Sequence, residues 1–272
     1  MPQPAGSCIV QTMSRSCSKS RIAFLATLAI APLPGRLLAQ PSSAATTAFN
    51  AYAASVETRL ARQHQSALTF LIPRQPDPSQ PVIENLTPTN LDPPGAMLHH
   101  WRGTTFAAGA TAADLDRLLR DLPAYPQHFA PEVTRAQTLN TSDDHLEAFL
   151  RLRQHYILTV VLDSIYAITF GSLDPHHRYS LSRSTHIAEI ASPGTSQEHV
   201  LLPADEHGFL WHLNTYWSWE ERPEGLYLQI ETVSLTRSIP PGLGWAIRPF
   251  VESIPRESLE FTLRSACSAL RK

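Results

Sequence analysis

Apolar positions recur along this chain with two different periods, and the changes of period mark its elements. Phe49, Tyr52, Val56 and Leu60, within 44–66, are spaced by 3, 4 and 4 residues, the stripe of an amphipathic helix that covers a core. From Pro73 to Pro94 seven prolines fall within 22 residues; each fixes φ and removes a donor, so the stretch reads as an irregular loop. Met97 to Phe106 is a short strand candidate. Thr111, with Asp114 three residues on, forms a capping box that opens a helix through Leu115, Leu118, Leu119 and Leu122. Pro123 and Pro126 break that helix into a turn containing Tyr125.

From about Val133 the period falls to two. Tyr156, Leu158, Val160, Leu162, Tyr166, Ile168 and Phe170 share one parity, which predicts one apolar sheet face, with Asp163-Ser164 as a turn dividing two strands. Phe209, Trp211, Leu213, Trp217 and Trp219 alternate with His212, Asn214, Tyr216 and Ser218. Arg222-Pro-Glu-Gly225 is a turn, and Leu226 to Arg237 returns as the partner strand. There the apolar parity shifts between Ile230 and Val233, which predicts a bulge near Glu231 and Thr232. The tail reverts to helix. Pro249 predicts a bend in 243–251, Pro255 suits a first helical position, and Leu259, Leu263, Ala266 and Leu270 follow at spacings of 4, 3 and 4. Helices early, an antiparallel sheet in the middle and one long final helix make an α+β fold, with that helix as the cover for the sheet.

Composition narrows the class. The 272 residues are 43% hydrophobic and 17% charged, which supplies a core and excludes a collagen-like or fully disordered chain. Arg15, Lys19 and Arg21 precede an apolar run from Ile22 to Leu33, then Pro34, Gly35 and a small-residue exit near Ala39. This predicts a cleavable signal peptide over 1–40 and export, with an uncleaved amphipathic anchor as the alternative. Behind it stand an N-terminal helix with the Pro-rich loop (41–95) and a main domain (96–272). Four of the 22 basic residues and none of the 24 acidic ones lie in 1–39, so the rest carries a formal charge of −6, which argues against nucleic acid. Cys8 and Cys17 belong to the leader and leave Cys267 alone, so no internal disulfide is expected.

Searched for chemistry, the chain has no G-x-G-x-x-G, G-x-x-x-x-G-K-[ST], H-E-x-x-H, C-x-x-C or G-x-S-x-G, and no cofactor is expected. Among its 12 histidines, His99-His100 and His176-His177 are adjacent pairs. Adjacent strand residues point to opposite faces, and His176-His177 follow Asp174-Pro175 in a turn, so no metal site is expected. In Ser182 to Glu189 an acid/base pair of His186 with Glu189 or Glu231 is one reading. Cross-strand ion pairs of Arg183, Glu189 and Glu231 on the outer sheet face are the other, and the favoured one.

The segments Ala112-Ala-Asp114, Leu118-Leu-Arg-Asp-Leu-Pro-Ala-Tyr-Pro126 and Phe129-Ala-Pro-Glu-Val133 resemble the helix, turn and strand of the START-like helix-grip superfamily. Its polyketide cyclase and START lipid-transfer branches also end as Glu231 to Leu270 does here. The resemblance spans Met97 to Leu270. It implies a curved antiparallel sheet wrapped around the C-terminal helix, with an internal cavity for an apolar or amphipathic ligand, and it implies no particular reaction. Trp211 is the first candidate for the cavity, sharing its face with Phe209 and Leu213; Leu228, Ile230, Leu259 and Leu263 complete the lining, and Arg183 or Tyr216 orients the ligand. Trp217 and Trp219 read as core packing, and Trp245 and Phe250 as a lid or as a staple for the last helix. The expected protein is a monomeric, exported, non-catalytic binder of a hydrophobic small molecule or lipid. A cyclase or lyase using His186 with Glu189 or Glu231, and an envelope structural protein, are the alternatives.

Overall fold

A computed structural model describes residues 40–72, 80–91, 93–155, 159–239 and 244–271, with no side chains for 244–252. The segment read as a signal peptide up to Ala39, Tyr156, Leu158 and the side chains of Trp245 and Phe250 lie outside the described residues.

Nine antiparallel strands form one sheet in the order β1-β2-β9-β8-β6-β5-β4-β3, with β7 set against β6 off that path. They are β1 (Val82–Asn85), β2 (Ala96–Ala108), β3 (Val133–Ser142), β4 (His145–His155), β5 (Thr159–Ser172), β6 (His177–Ala191), β7 (His199–Val200), β8 (His212–Arg222) and β9 (Gly225–Arg237). Helix α1 (Ser43–Gln63) precedes them. Helices α2 (Ala112–Arg120) and α3 (Tyr125–His128) follow β2, and α4 (Gly244–Leu270) closes the chain. The fold is α+β, a large curved antiparallel sheet with the C-terminal helix across one face. The capping box forms at the start of α2, where the Thr111 hydroxyl accepts from the Asp114 amide and the Asp114 carboxylate from the Thr111 amide.

Both faces of the sheet are covered. On the concave side Leu226, Leu228 and Ile230 join Leu115, Leu259 and Leu263 in one apolar cluster. On the convex side Phe49, Ala53, Val56 and Leu60 of α1 pack on Leu98, Tyr216, Val233 and Leu235. This double cover corrects the bulge expected at Glu231 and Thr232. β9 keeps unbroken register with β2 and β8 through those residues; its apolar parity changes because first one face and then the other carries the packing. A bulge lies on β6 instead, where Ile165 pairs with His186 and Tyr166 with Ser184, leaving Thr185 as the extra residue. Asp163-Ser164 is no turn: β5 runs straight through both, and Asp163 accepts two hydrogen bonds from Arg151 at 2.7 and 2.8 Å. The Pro-rich stretch also holds more order than expected, since β1 pairs with β2 from Val82 to Asn85.

The last helix is longer than its prolines suggest and continues through Pro249 and Pro255. It packs closely on β2 because residue 103 is glycine: a Cβ there would stand 2.5 Å from Leu263 Cδ1 and 3.3 Å from Leu259 Cγ.

α1 is held to the convex face by charge as well as by its stripe. Arg183 donates to both oxygens of Glu57 at 2.7 and 2.8 Å, and the Tyr216 hydroxyl donates to Glu57 at 3.1 Å. Arg59 pairs with Glu231, whose same oxygen bonds His100 Nε2 at 2.9 Å while Tyr52 meets His100 Nδ1 at 2.8 Å. The cross-strand pairs expected among Arg183, Glu189 and Glu231 are therefore absent: the helix supplies partners for Arg183 and Glu231, and Glu189 lies across the sheet from them.

Candidate functional site

Between the concave face and α4 lies a cavity of about 320 Å³, near the lower end of the range for small-molecule sites. Its inner wall is apolar, with Leu119, Leu122 and Phe129 from the α2–α3 region, Ile168 and Phe170 from β5 and Leu259 from α4. Toward the end of the sheet where β9 stops and β8 starts the wall changes character. Continuing the parity of Leu228 and Ile230, the next inward residues of β9 are Thr232, Ser234 and Thr236, and all three line the cavity.

Register aligns these groups across the sheet. Ser182 pairs with Thr215, Thr215 with Thr232, and Thr232 with Trp101, so three hydroxyls and an indole share one row over β6, β8, β9 and β2. Trp101 Nε1, outside the residues that line the cavity, is buried without a hydrogen-bond partner, as is the hydroxyl of Tyr166, which lines it. Burial raises that phenol to about 12, opposed by the nearby Ser164 hydroxyl, although neither oxygen completes a hydrogen bond. One row further out, His99 faces Ser234 and meets Thr236 Oγ1 at 3.3 Å; burial lowers its imidazole to about 4, so it stays neutral.

The residues named from sequence divide by sheet face. Phe209, Leu213, Ile230 and Leu259 line the cavity. Leu228 and Leu263 are wholly buried in the concave core beside it. Trp211 and Tyr216 pack under α1 on the convex side with Arg183 near them. Tyr216 has the opposite parity to Leu213 and Trp217, and Trp211 precedes the first residue of β8. Trp217, read as core, lines the cavity; Trp219 donates to the Ala112 carbonyl at 3.2 Å and ties β8 to α2.

The three acid/base candidates are separated. His186 is exposed on β6, Glu231 is buried on the convex face, and no hydrogen bond or ion pair joins His186 to either glutamate. Glu189, turned inward by the Thr185 bulge, accepts from the amides of His207, Gly208 and Phe209 at 2.9, 2.8 and 3.0 Å and from His207 Nδ1 at 2.8 Å. It thereby positions Phe209 and Leu210 in the cavity wall. Gly208 adopts φ +75, and a Cβ there would meet Arg237 Cβ at 2.8 Å, so the turn requires glycine. Glu189→Ala is expected to cost about 2 kcal/mol, because it strands these amides, and to speed hydrogen exchange at Gly208 and Phe209; unchanged exchange there would contradict the anchoring role. Sequence reasoning missed this anchor and the hydroxyl row. The β9 parity, carried past Ile230, was the available signal for the hydroxyls.

Among the described residues no group of three or more His, Cys, Asp or Glu is arranged to hold a metal ion, and no helix is long and apolar enough to cross a membrane.

No protein-family model matches the chain, and no curated protein does. Solved structures similar to it include a STAR-related lipid transfer protein from Xanthomonas axonopodis (19% identity, 66% of this chain and 96% of that one, TM-score 0.43). A Streptomyces aromatase/cyclase is 14% identical over 63% of this chain and 93% of its own, with a TM-score of 0.43. Human STARD10 is 10% identical over 78% and 77%, with a TM-score of 0.46. These likenesses are of chain arrangement alone.

Proposed function

We propose that the protein is an exported, non-catalytic carrier that holds a lipid-like or other hydrophobic small molecule between its sheet and α4. The observation that supports this reading is an apolar cavity of about 320 Å³ whose wall holds a row of hydroxyls and the buried, unpartnered hydroxyl of Tyr166. Apolar ligand surface buried there contributes about 25 cal/mol per Å². The half-buried hydroxyls of Ser182, Thr215 and Thr232 form no side-chain hydrogen bonds among the described residues and fix orientation, since a ligand that buried them unpaired would lose about 1–3 kcal/mol each. A molecule with an apolar body and a few hydrogen-bonding groups satisfies both walls. A cavity of this size suits one chain or one fused ring system rather than a two-chain lipid.

Leu213→Trp fills the cavity from β8 and tests the reading. The neutral fluorophore Nile red is expected to bind the parent saturably and the variant about tenfold more weakly or worse, with folding retained by circular dichroism. Equal binding by the folded variant would refute it. Export rests on the Arg15 to Ala39 pattern, and its test is the mass of the mature N-terminus: cleavage near Ala39 is expected, and an intact leader on the membrane would favour the anchor.

A further inference from the structure

The charges around the cavity bear on which hydrophobic molecule enters it. No arginine, lysine or histidine stands among the described lining residues, and Glu132 is their one acidic side chain. It sits between α3 and β3, where its carbonyl accepts from the Arg153 amide at 2.7 Å and fixes the backbone. Ser258 Oγ of α4 donates to its carboxylate at 2.9 Å, and Gln154 Nε2 of β4 donates to Ser258 Oγ at 3.1 Å. Three elements thus hold one carboxylate at the cavity wall, and it takes no other side-chain hydrogen bond among the described residues. Burial raises it to about 7, opposed by the Ser258 bond and reinforced by the like charge of Glu257 on α4. A partly buried carboxylate without a cation is relieved by one, and an anion brought beside it in a low-dielectric wall is repelled.

We propose that the cavity sorts its occupants by the charge of their polar end: Glu132, positioned by Ser258 and Gln154, pairs with a protonated amine on an otherwise apolar molecule, and carboxylate or phosphate heads are turned away. The inference rests on the ligand-carrier reading and adds the head group to it. The apolar body then lies along Leu162, Ile168 and Leu259, and the hydroxyl row across β6, β8 and β9 serves neutral oxygens on that body.

Displacement of Nile red from the purified protein at about pH 8 by decylamine, decanol and decanoate, all below their micelle concentrations, tests this. Decylamine is expected to bind about tenfold or more tighter than decanoate, with decanol between them. In Glu132→Gln the amine advantage should fall below about threefold, and Ser258→Ala should weaken it in the same direction. Decanoate binding as well as decylamine, or an amine advantage that survives Glu132→Gln, would overturn the head-group selection while leaving the carrier. Failure of Nile red and all three probes to bind would overturn the carrier reading and this one with it.

Discussion

Replacing Glu231 by alanine is expected to remove about 3–5 kcal/mol of folding stability, the usual result of deleting one member of a buried charge network. The side chain is almost wholly buried beneath α1, where its carboxylate meets Arg59, His100 at 2.9 Å and Arg102 at 3.7 Å. Burial alone would raise its pKa; the His100 hydrogen bond and the Arg59 charge outweigh that and hold it below the ordinary carboxylate value. Without it, His100 loses its acceptor beneath α1 and Arg102 keeps only Glu84 at 3.1 Å, whereas the half-exposed Arg59 can turn to water. Arg59→Ala should therefore cost only about 1 kcal/mol. Urea denaturation separates the two. Equal, small losses would mean that the network contributes little to docking α1. Nile red binding at temperatures where the variant is folded should persist, because Glu231 faces away from the cavity; lost binding would bring it back as a site residue.

Acidification is expected to destabilise the protein through two histidines on opposite sheet faces. His64, at the end of α1, bonds Ser218 at 2.8 Å and stacks on Tyr179. Burial lowers it to about 4, with the Arg59 charge adding to the fall and Glu231 opposing it, and burial alone lowers His99 to about 4. In the unfolded chain each imidazole takes its proton near pH 6.5. Stability from keeping them neutral is therefore intact above that pH and is lost as pH falls toward 4, by about 2 kcal/mol per histidine at pH 5. Glu132 acts with the opposite sign. Its folded value of about 7 lies above the reference of 4.5, so its charge penalises the folded state at neutral pH. Acidification to pH 5 relieves up to about 2 kcal/mol of that. The parent should lose about 2 kcal/mol between pH 7 and 5, and Glu132→Gln, more stable at pH 7, about 4. Denaturation midpoints across this range check it, and identical pH profiles for the two proteins would contradict the placement of a titrating carboxylate in the cavity wall.

The frame was legible in the sequence because its signals are local. The Thr111–Asp114 box, the Arg222–Gly225 turn and the stripe from Leu259 to Leu270 each involve residues a few positions apart. What was misread depends on both faces of the sheet being buried. With α1 on the convex side, Val233 and Leu235 are as buried as Ile230, so hydrophobicity no longer reports which side faces a cavity. Trp211 and Tyr216 were chosen as large aromatics, yet they bury that area under α1. The groups that do give the cavity its polarity are small hydroxyls and one glutamate, unremarkable in sequence until register sets Ser182, Thr215 and Thr232 side by side and brings Ser258 of α4 to Glu132.

The most direct test of the cavity as a ligand site is a native mass spectrum of the protein expressed from its full chain and purified without detergent, followed by solvent extraction and mass analysis of what is released. One stoichiometric apolar molecule is predicted, bearing an ionisable nitrogen and missing from Leu213→Trp. A clean unliganded mass, with no thermal stabilisation across a panel of hydrophobic ligands, would contradict the carrier function and leave a structural role for a fold whose cavity stays empty.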